Sequence, residues 1–207
     1  MLWRCVRETV PSAAKCLEGV ERDSVDEVFL FFDYDSPSKQ CAWMRVRWPL
    51  WRQCSSHSIT NTRSGKLYIS YPMVEALYDY RAGQCQAHSG CFVDNSEIAQ
   101  YKKISGEGNV NVGKHMELLQ WKDAIAAFVL RCKCLLDLDE VSFGTYRELV
   151  TVDAIFREEK RMRSEDGSVF VLSAFPEFLL DYFDDKFFNS MAPMRHLKFD
   201  DCPREKG

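Results

Sequence analysis

The sequence has no hydrophobic run of membrane-spanning length. A span needs about 18–20 consecutive apolar residues, and the longest stretch here, around Ala124–Leu138, is broken by Arg131 and Lys133. No membrane partner is therefore expected. The start, Met1-Leu-Trp-Arg-Cys-Val-Arg-Glu8, has no apolar core of the kind a secretion leader carries. An arginine-bearing organelle presequence is the alternative at this end, and Glu8 argues against it. Regularly spaced, even-numbered cysteines are also missing: nine at irregular intervals make a poor disulfide framework. A reducing cytosol or nucleus is the expected home. Internal repeats, low-complexity tracts and linkers are absent. So is any catalytic signature. The four histidines, His57, His88, His115 and His196, are scattered, and none has the neighbours that would nominate a nucleophile–base pair. Gly106-Glu-Gly108 and Gly113 lack the preceding strand and following helix that a phosphate loop requires. Finally, no acidic residue occurs from Ser36 to Val74.

What remains describes a folded chain. At 207 residues, with 46% hydrophobic and 28% charged residues, it is long enough to bury a sizeable core. The net charge of −4 gives no overall pull toward nucleic acid or anionic membrane.

Patterning places the elements. Ser12–Arg22 suits a short amphipathic helix. Val28–Phe32 is a continuous apolar run flanked by acids, as in a strand covered on both faces. The turn formers of Asp33-Tyr-Asp-Ser-Pro-Ser38 then predict a neighbouring strand over Gln40–Pro49. There Ala42, Met44, Val46 and Trp48 alternate with Trp43, Arg45 and Arg47, and Pro49 ends the run. Leu67–Tyr71 reads as a strand, with Pro72 opening a helix through about Tyr80. Gln84–Asn95 and Ser105–Val112 read as loops, and Asn95-Ser-Glu-Ile98 as a capped helix start. Ala124–Leu130 and Leu135–Leu138 read as strands, although periodicity alone does not separate them from a buried helix. Leu149–Phe156 and Ser168–Ala174 read as a hairpin across a charged turn at Arg157–Gly167. Phe178, Leu179, Tyr182, Phe183 and Phe187 recur at helical spacing in Phe175–Asn189, and His196–Phe199 is a last short strand. The expectation is one α+β domain over residues 1–207, of mixed sheets with peripheral helices, a short N-terminal helix and a charged C-terminal tail.

Several constellations carry chemistry. In the acid-free segment Lys39, Arg45, Arg47, Arg52, Arg63 and Lys66 are interleaved with Trp43, Trp48, Trp51, Tyr68 and Tyr71. Cations beside aromatic rings suit a protein-binding hot spot, or single-stranded nucleic acid, with charge along phosphates and rings under bases. Core packing of the inward residues, with the arginines paired to distant acids, explains the same pattern. Trp43, Arg45 and Arg47, on the outward face, are the binding candidates. Cys54-x-x-His57 and Cys85-x-x-His88-x-x-Cys91 offer five soft ligands for a tetrahedral zinc. Their spacing reproduces no common finger, and buried thiols and loop residues are the plainer account, so neither metal nor cofactor is expected. Cys132-Lys-Cys134 beside Arg131 would face one side of a strand, as buried thiols or as a pair with lowered pKa. Hydrolysis by paired carboxylates needs two of them about 5–10 Å apart across a cleft. Asp137 and Asp139, on one side of a strand, are the catalytic candidates; Asp33 and Asp35 form a second pair. Solvated strand ends account for both.

Two blocks carry a family likeness. The first is Asp26-Glu-Val-Phe-Leu-Phe-Phe-Asp33, a polar turn, and Gln40-Cys-Ala-Trp-Met-Arg-Val-Arg-Trp-Pro49. The second is Asp123-Ala-Ile-Ala-Ala-Phe-Val-Leu130, Cys134-Leu-Leu-Asp-Leu-Asp-Glu-Val141 and Gly144-Thr-Tyr-Arg-Glu-Leu-Val-Thr-Val152. Together, over about a third of the chain, they resemble the plast family, the RolB/RolC-type growth-modifying proteins that crown-gall and hairy-root bacteria encode on transferred DNA. The resemblance implies an effector in the cytoplasm or nucleus of a transformed plant cell, altering growth and auxin or cytokinin response by binding host proteins. It also implies an alternative, a glycoside hydrolase of hormone conjugates; the basic and aromatic segment supplies a third reading, a nucleic-acid-binding regulator. For the fold it implies an arrangement like that of ADP-ribosyltransferase toxins, without the Arg, Ser-x-Ser and Glu elements of those enzymes. No family catalytic residue maps onto this chain.

Overall fold

A computed structural model describes residues 29–34, 66–79, 91–107, 116–138 and 142–190, with isolated positions between 15 and 27 and the backbone alone from 184 to 190. In chain order the elements are β1 (Phe29–Asp33), β2 (Lys66–Ser70), a 3₁₀ turn (Val74–Asp79), β3 (Phe92–Asp94) and a second 3₁₀ turn (Ile98–Gln100). There follow α1 (Tyr101–Glu107), α2 (Leu118–Leu136), α3 (Phe143–Leu149), α4 (Val152–Glu165), β4 (Ser168–Phe170) and α5 (Ala174–Ser190). The class is α+β: the described strands form two small sheets, β1–β2 and β3–β4, among several helices. The chain groups into two compact units, Met1–Phe31 with Pro37–Tyr68, and Phe32–Ser36 with Ile69–Gly207.

In the first unit Phe29 and Phe31 both meet the Tyr68 ring, at centroid distances of 6.3 and 5.2 Å. Tyr68 is buried but Phe31 is 40% exposed. β1 is thus half covered, not buried on both faces as its continuous apolar run suggested. The expected strand at 40–49 and the last strand at 196–199 lie outside the described residues, as does the N-terminal helix but for isolated positions.

The second unit is built around α2, whose residues Ala124–Ala126, Phe128–Cys132 and Leu135 are buried. It packs against α4 and α5. A helix apolar nearly all round has to be buried, and each large side chain enclosed contributes about 1.5–3 kcal/mol. Here the sequence reading is overturned: Ala124–Leu138 holds one helix, not two strands. The alanines at 124, 126 and 127 are strong helix formers, and Glu117 and Gln120 close a capping box at its start. Leu149–Phe156 is likewise no strand. α3 begins at a Ser142 cap, whose side chain accepts the Thr145 N–H at 3.1 Å. α4 begins at Thr151, which accepts from Ala154 at the same distance. Most of the supposed charged turn belongs to α4, whose solvent face is joined by Asp153–Arg157, Glu158–Arg161 and Arg161–Glu165 pairs.

β3 and β4 pair antiparallel, Phe92 opposite Phe170, Val93 opposite Val169 and Asp94 opposite Ser168. The other edge of the following segment is joined by Tyr71, which exchanges N–H···O bonds of 2.7 and 2.9 Å with Leu172. Pro72 then has no N–H to offer, and the chain turns into the 3₁₀ turn at Val74, two residues beyond the helix start expected there. After β3, Asn95 does not cap a helix: its side-chain amide donates to Arg163 O at 3.1 Å. α1 continues to Glu107 through part of a segment that reads as loop. α5 agrees with its helical spacing.

Candidate functional site

Among the described residues, the densest chemistry sits inside the second unit. Five polar or ionisable side chains converge there on buried positions: Tyr71, Arg131 and Cys132 on α2, Glu159 on α4, and Glu177 on α5. Each is delivered by a local rule. Ile155, Phe156, Glu159 and Met162 form the inward stripe of α4 at helical spacing, so Glu159 occupies a position that apolar periodicity assigns to the core. Arg131 reaches across from α2, donating to Val171 O at 2.8 Å and Asp79 O at 2.7 Å. It thereby ties α2 to the strand segment and to the end of the first 3₁₀ turn. Tyr101 reinforces that end, its hydroxyl donating to Asp79 Oδ2 at 3.1 Å. Burial, followed by the Asp79 charge, raises the Tyr101 phenol well above its ordinary value, against the lowering by Arg131.

The electrostatics of the cluster all run one way. Burial holds the Glu159 carboxyl well above its ordinary value, offset in part by the Phe170 N–H and the charge of Arg163. Burial and then the fields of Glu159 and Glu177 raise Tyr71. Cys132 is raised by burial, then by Glu177 and Glu159, with Arg131 opposing. A thiol in that setting is held protonated and inert, the opposite of an activated nucleophile. Because α2 is a helix, Cys132 and Cys134 diverge: the first is fully buried and the second partly exposed.

A recess of about 220 Å³, counting space open to solvent, is bordered by Ala76, Ala124, Ala127, Phe128, Arg131 and Pro176, with Ser173 and apolar neighbours. No carboxylate or histidine lines it. Among the described residues no group of three His, Cys, Asp or Glu side chains is placed to hold a metal, and no helix is long and apolar enough to cross a membrane.

Of the residues singled out from sequence, Asp137 is the C-cap of α2. It adopts left-handed backbone, φ 57°, and its N–H donates to Lys133 O. The expected strand that would set it beside Asp139 does not exist, because the segment is helical up to Leu136. Asp139 itself lies outside the described residues, as do Asp35, Trp43, Arg45 and Arg47 and the zinc candidates Cys54, His57, Cys85 and His88. Cys91 is described: it is wholly buried, and its carbonyl accepts the Val171 N–H at 2.8 Å. Sequence reasoning missed Glu159 and Arg131. The available signal was a charged residue on the apolar stripe of a helix, which is invisible once the segment is read as a charged turn or a strand.

Comparison of the chain with protein-family models, curated proteins and solved structures returns no match.

Proposed function

We propose that this chain is a RolB/RolC-type effector of the plast family. It acts in the cytoplasm or nucleus of a transformed plant cell and alters growth and hormone response by binding host proteins. The two sequence blocks carry the family assignment. The observation that favours binding over turnover is the state of the carboxylates: Asp137 caps a helix, Glu159 is enclosed in the core, and the recess presents none. A glycosidase needs a facing pair across an open cleft, one acid and one base or nucleophile. The finer fold expectation, an ADP-ribosyltransferase-like arrangement, belongs to the same proposal, and a solved structure superposable on those toxins would support it.

The contacts with host protein are assigned to Trp43, Arg45 and Arg47. A rigid aromatic beside two planar cations is the combination that dominates binding hot spots. The test is direct: purified protein incubated with hormone glucosides should release no hormone, and tagged protein should capture a defined plant protein that the Trp43→Ala/Arg45→Ala/Arg47→Ala variant does not. Sustained glucoside turnover would overturn the reading. Salt-sensitive retention on single-stranded RNA, lost in the same variant, would replace it with the nucleic-acid alternative.

A further inference from the structure

The segment from Gly167 to Leu172 has partners on both edges. Toward β3, Asn95 N–H donates to Gly167 O and Val171 N–H to Cys91 O, both at 2.8 Å, with Val93 opposite Val169. Alternation along a strand turns residues 168, 170 and 172 to the other edge. Tyr71 pairs that edge at Leu172. One step on, the pairing chain gives out at Pro72, and the Phe170 N–H faces the place where a third strand would have continued. Glu159 fills it: Oε2 accepts the Phe170 N–H at 3.0 Å from a residue that is 0% exposed. Its second oxygen, Oε1, and the hydroxyl of Tyr71 are both buried without a hydrogen-bond partner among the described residues.

Among the described residues no cation forms an ion pair with this carboxyl, although the Arg163 charge favours its ionised form. Arg163, on α4 itself, stands 5.3 Å over the Tyr34 ring. Arg131 on α2 is committed to two carbonyls. Tyr71 and Cys132, which both feel the charges of Glu159 and Glu177, are acids as well and offer the carboxyl no compensation. A bare carboxylate there would be a core charge offset only in part, by the Phe170 N–H and the Arg163 charge.

We propose that Glu159 is a proton-dependent latch: as a neutral acid it stands in for the missing strand at Phe170 and holds α4 on β4, and loss of its proton loosens that edge. In the step the Glu159 O–H bond breaks, the proton passes to solvent water, and the carboxylate is expelled from the core as α4 and β4 separate. The latch is independent of what the protein binds. Between the ordinary carboxyl value and the raised one, the folded chain holds a proton that the unfolded chain has lost. Stability is therefore full below the ordinary value and falls as pH rises through that window.

The test compares denaturant unfolding of the full chain and of Glu159→Gln between about pH 5 and pH 9. Glutamine keeps a carbonyl acceptor for Phe170 and cannot ionise. The ratio of the native unfolding constant to that of the variant should rise about tenfold per pH unit across the window. A ratio flat with pH would overturn the proposal. Should the variant fail to fold, carbon-13 spectra of glutamate-labelled native protein decide: one glutamate carboxyl that keeps its acid form after the exposed glutamates have ionised is expected, and ionisation of every glutamate together would refute the latch.

Discussion

Removing the Arg131 guanidinium would leave Val171 O and Asp79 O without their donors, at 2.8 and 2.7 Å in the intact chain. An unsatisfied buried polar group costs about 1–3 kcal/mol, so Arg131→Met should destabilise the second unit by about 2–5 kcal/mol, read as a lowered denaturation midpoint. Asp137 makes the opposite case. A left-handed C-cap suits glycine and tolerates asparagine. Asp137→Gly should raise stability by a few tenths to about 1 kcal/mol, and Asp137→Asn should be nearly neutral. A large loss in either would mean that the Asp137 carboxylate, not its backbone, is what matters. Neither role was legible in the sequence. Arg131 reads there as the charge that interrupts an apolar run, and Asp137 as half of an acidic pair, because both depend on partners that only the helical path of α2 supplies.

At the level of elements, legibility followed the clarity of the period. β1, β2 and α5 were readable because their apolar residues form a short bounded run or a helical stripe. α2 was not: with Ala124–Ala126 and Phe128–Cys132 all buried, no polar face remains to betray a period of 3.6. Length and alanine content were the better guides. α4 failed for another reason. Its first two turns carry Val152, Ile155 and Phe156, which resemble strand residues, and its charged half resembles a turn. The opposite charges spaced three and four apart were the helical signal. The caps now identified offer a check. Ser142→Ala and Thr151→Ala each remove a side-chain acceptor from a helix start and should each cost about 1 kcal/mol, measurable by denaturant midpoint. Near-zero effects would mean that packing alone holds these helix ends.

At the scale of the whole molecule, the described residues form an α+β protein in which the ionisable cluster is interior and structural. The proposed binding function rests instead on Trp43, Arg45 and Arg47 of the acid-free segment, which lie outside the described residues and are legible in composition alone. Under that proposal, a growth-modifying role should depend on these cations and this ring, not on carboxylates. The most direct measurement expresses two variants in plant tissue beside the native protein. Trp43→Ala/Arg45→Ala/Arg47→Ala should stay folded, since Ala42, Met44 and Val46 are untouched, and should no longer perturb growth. Asp137→Asn/Asp139→Asn should perturb growth as the native protein does. The reverse pattern, an active triple variant and an inactive carboxamide variant, would contradict the binding account and identify an enzyme.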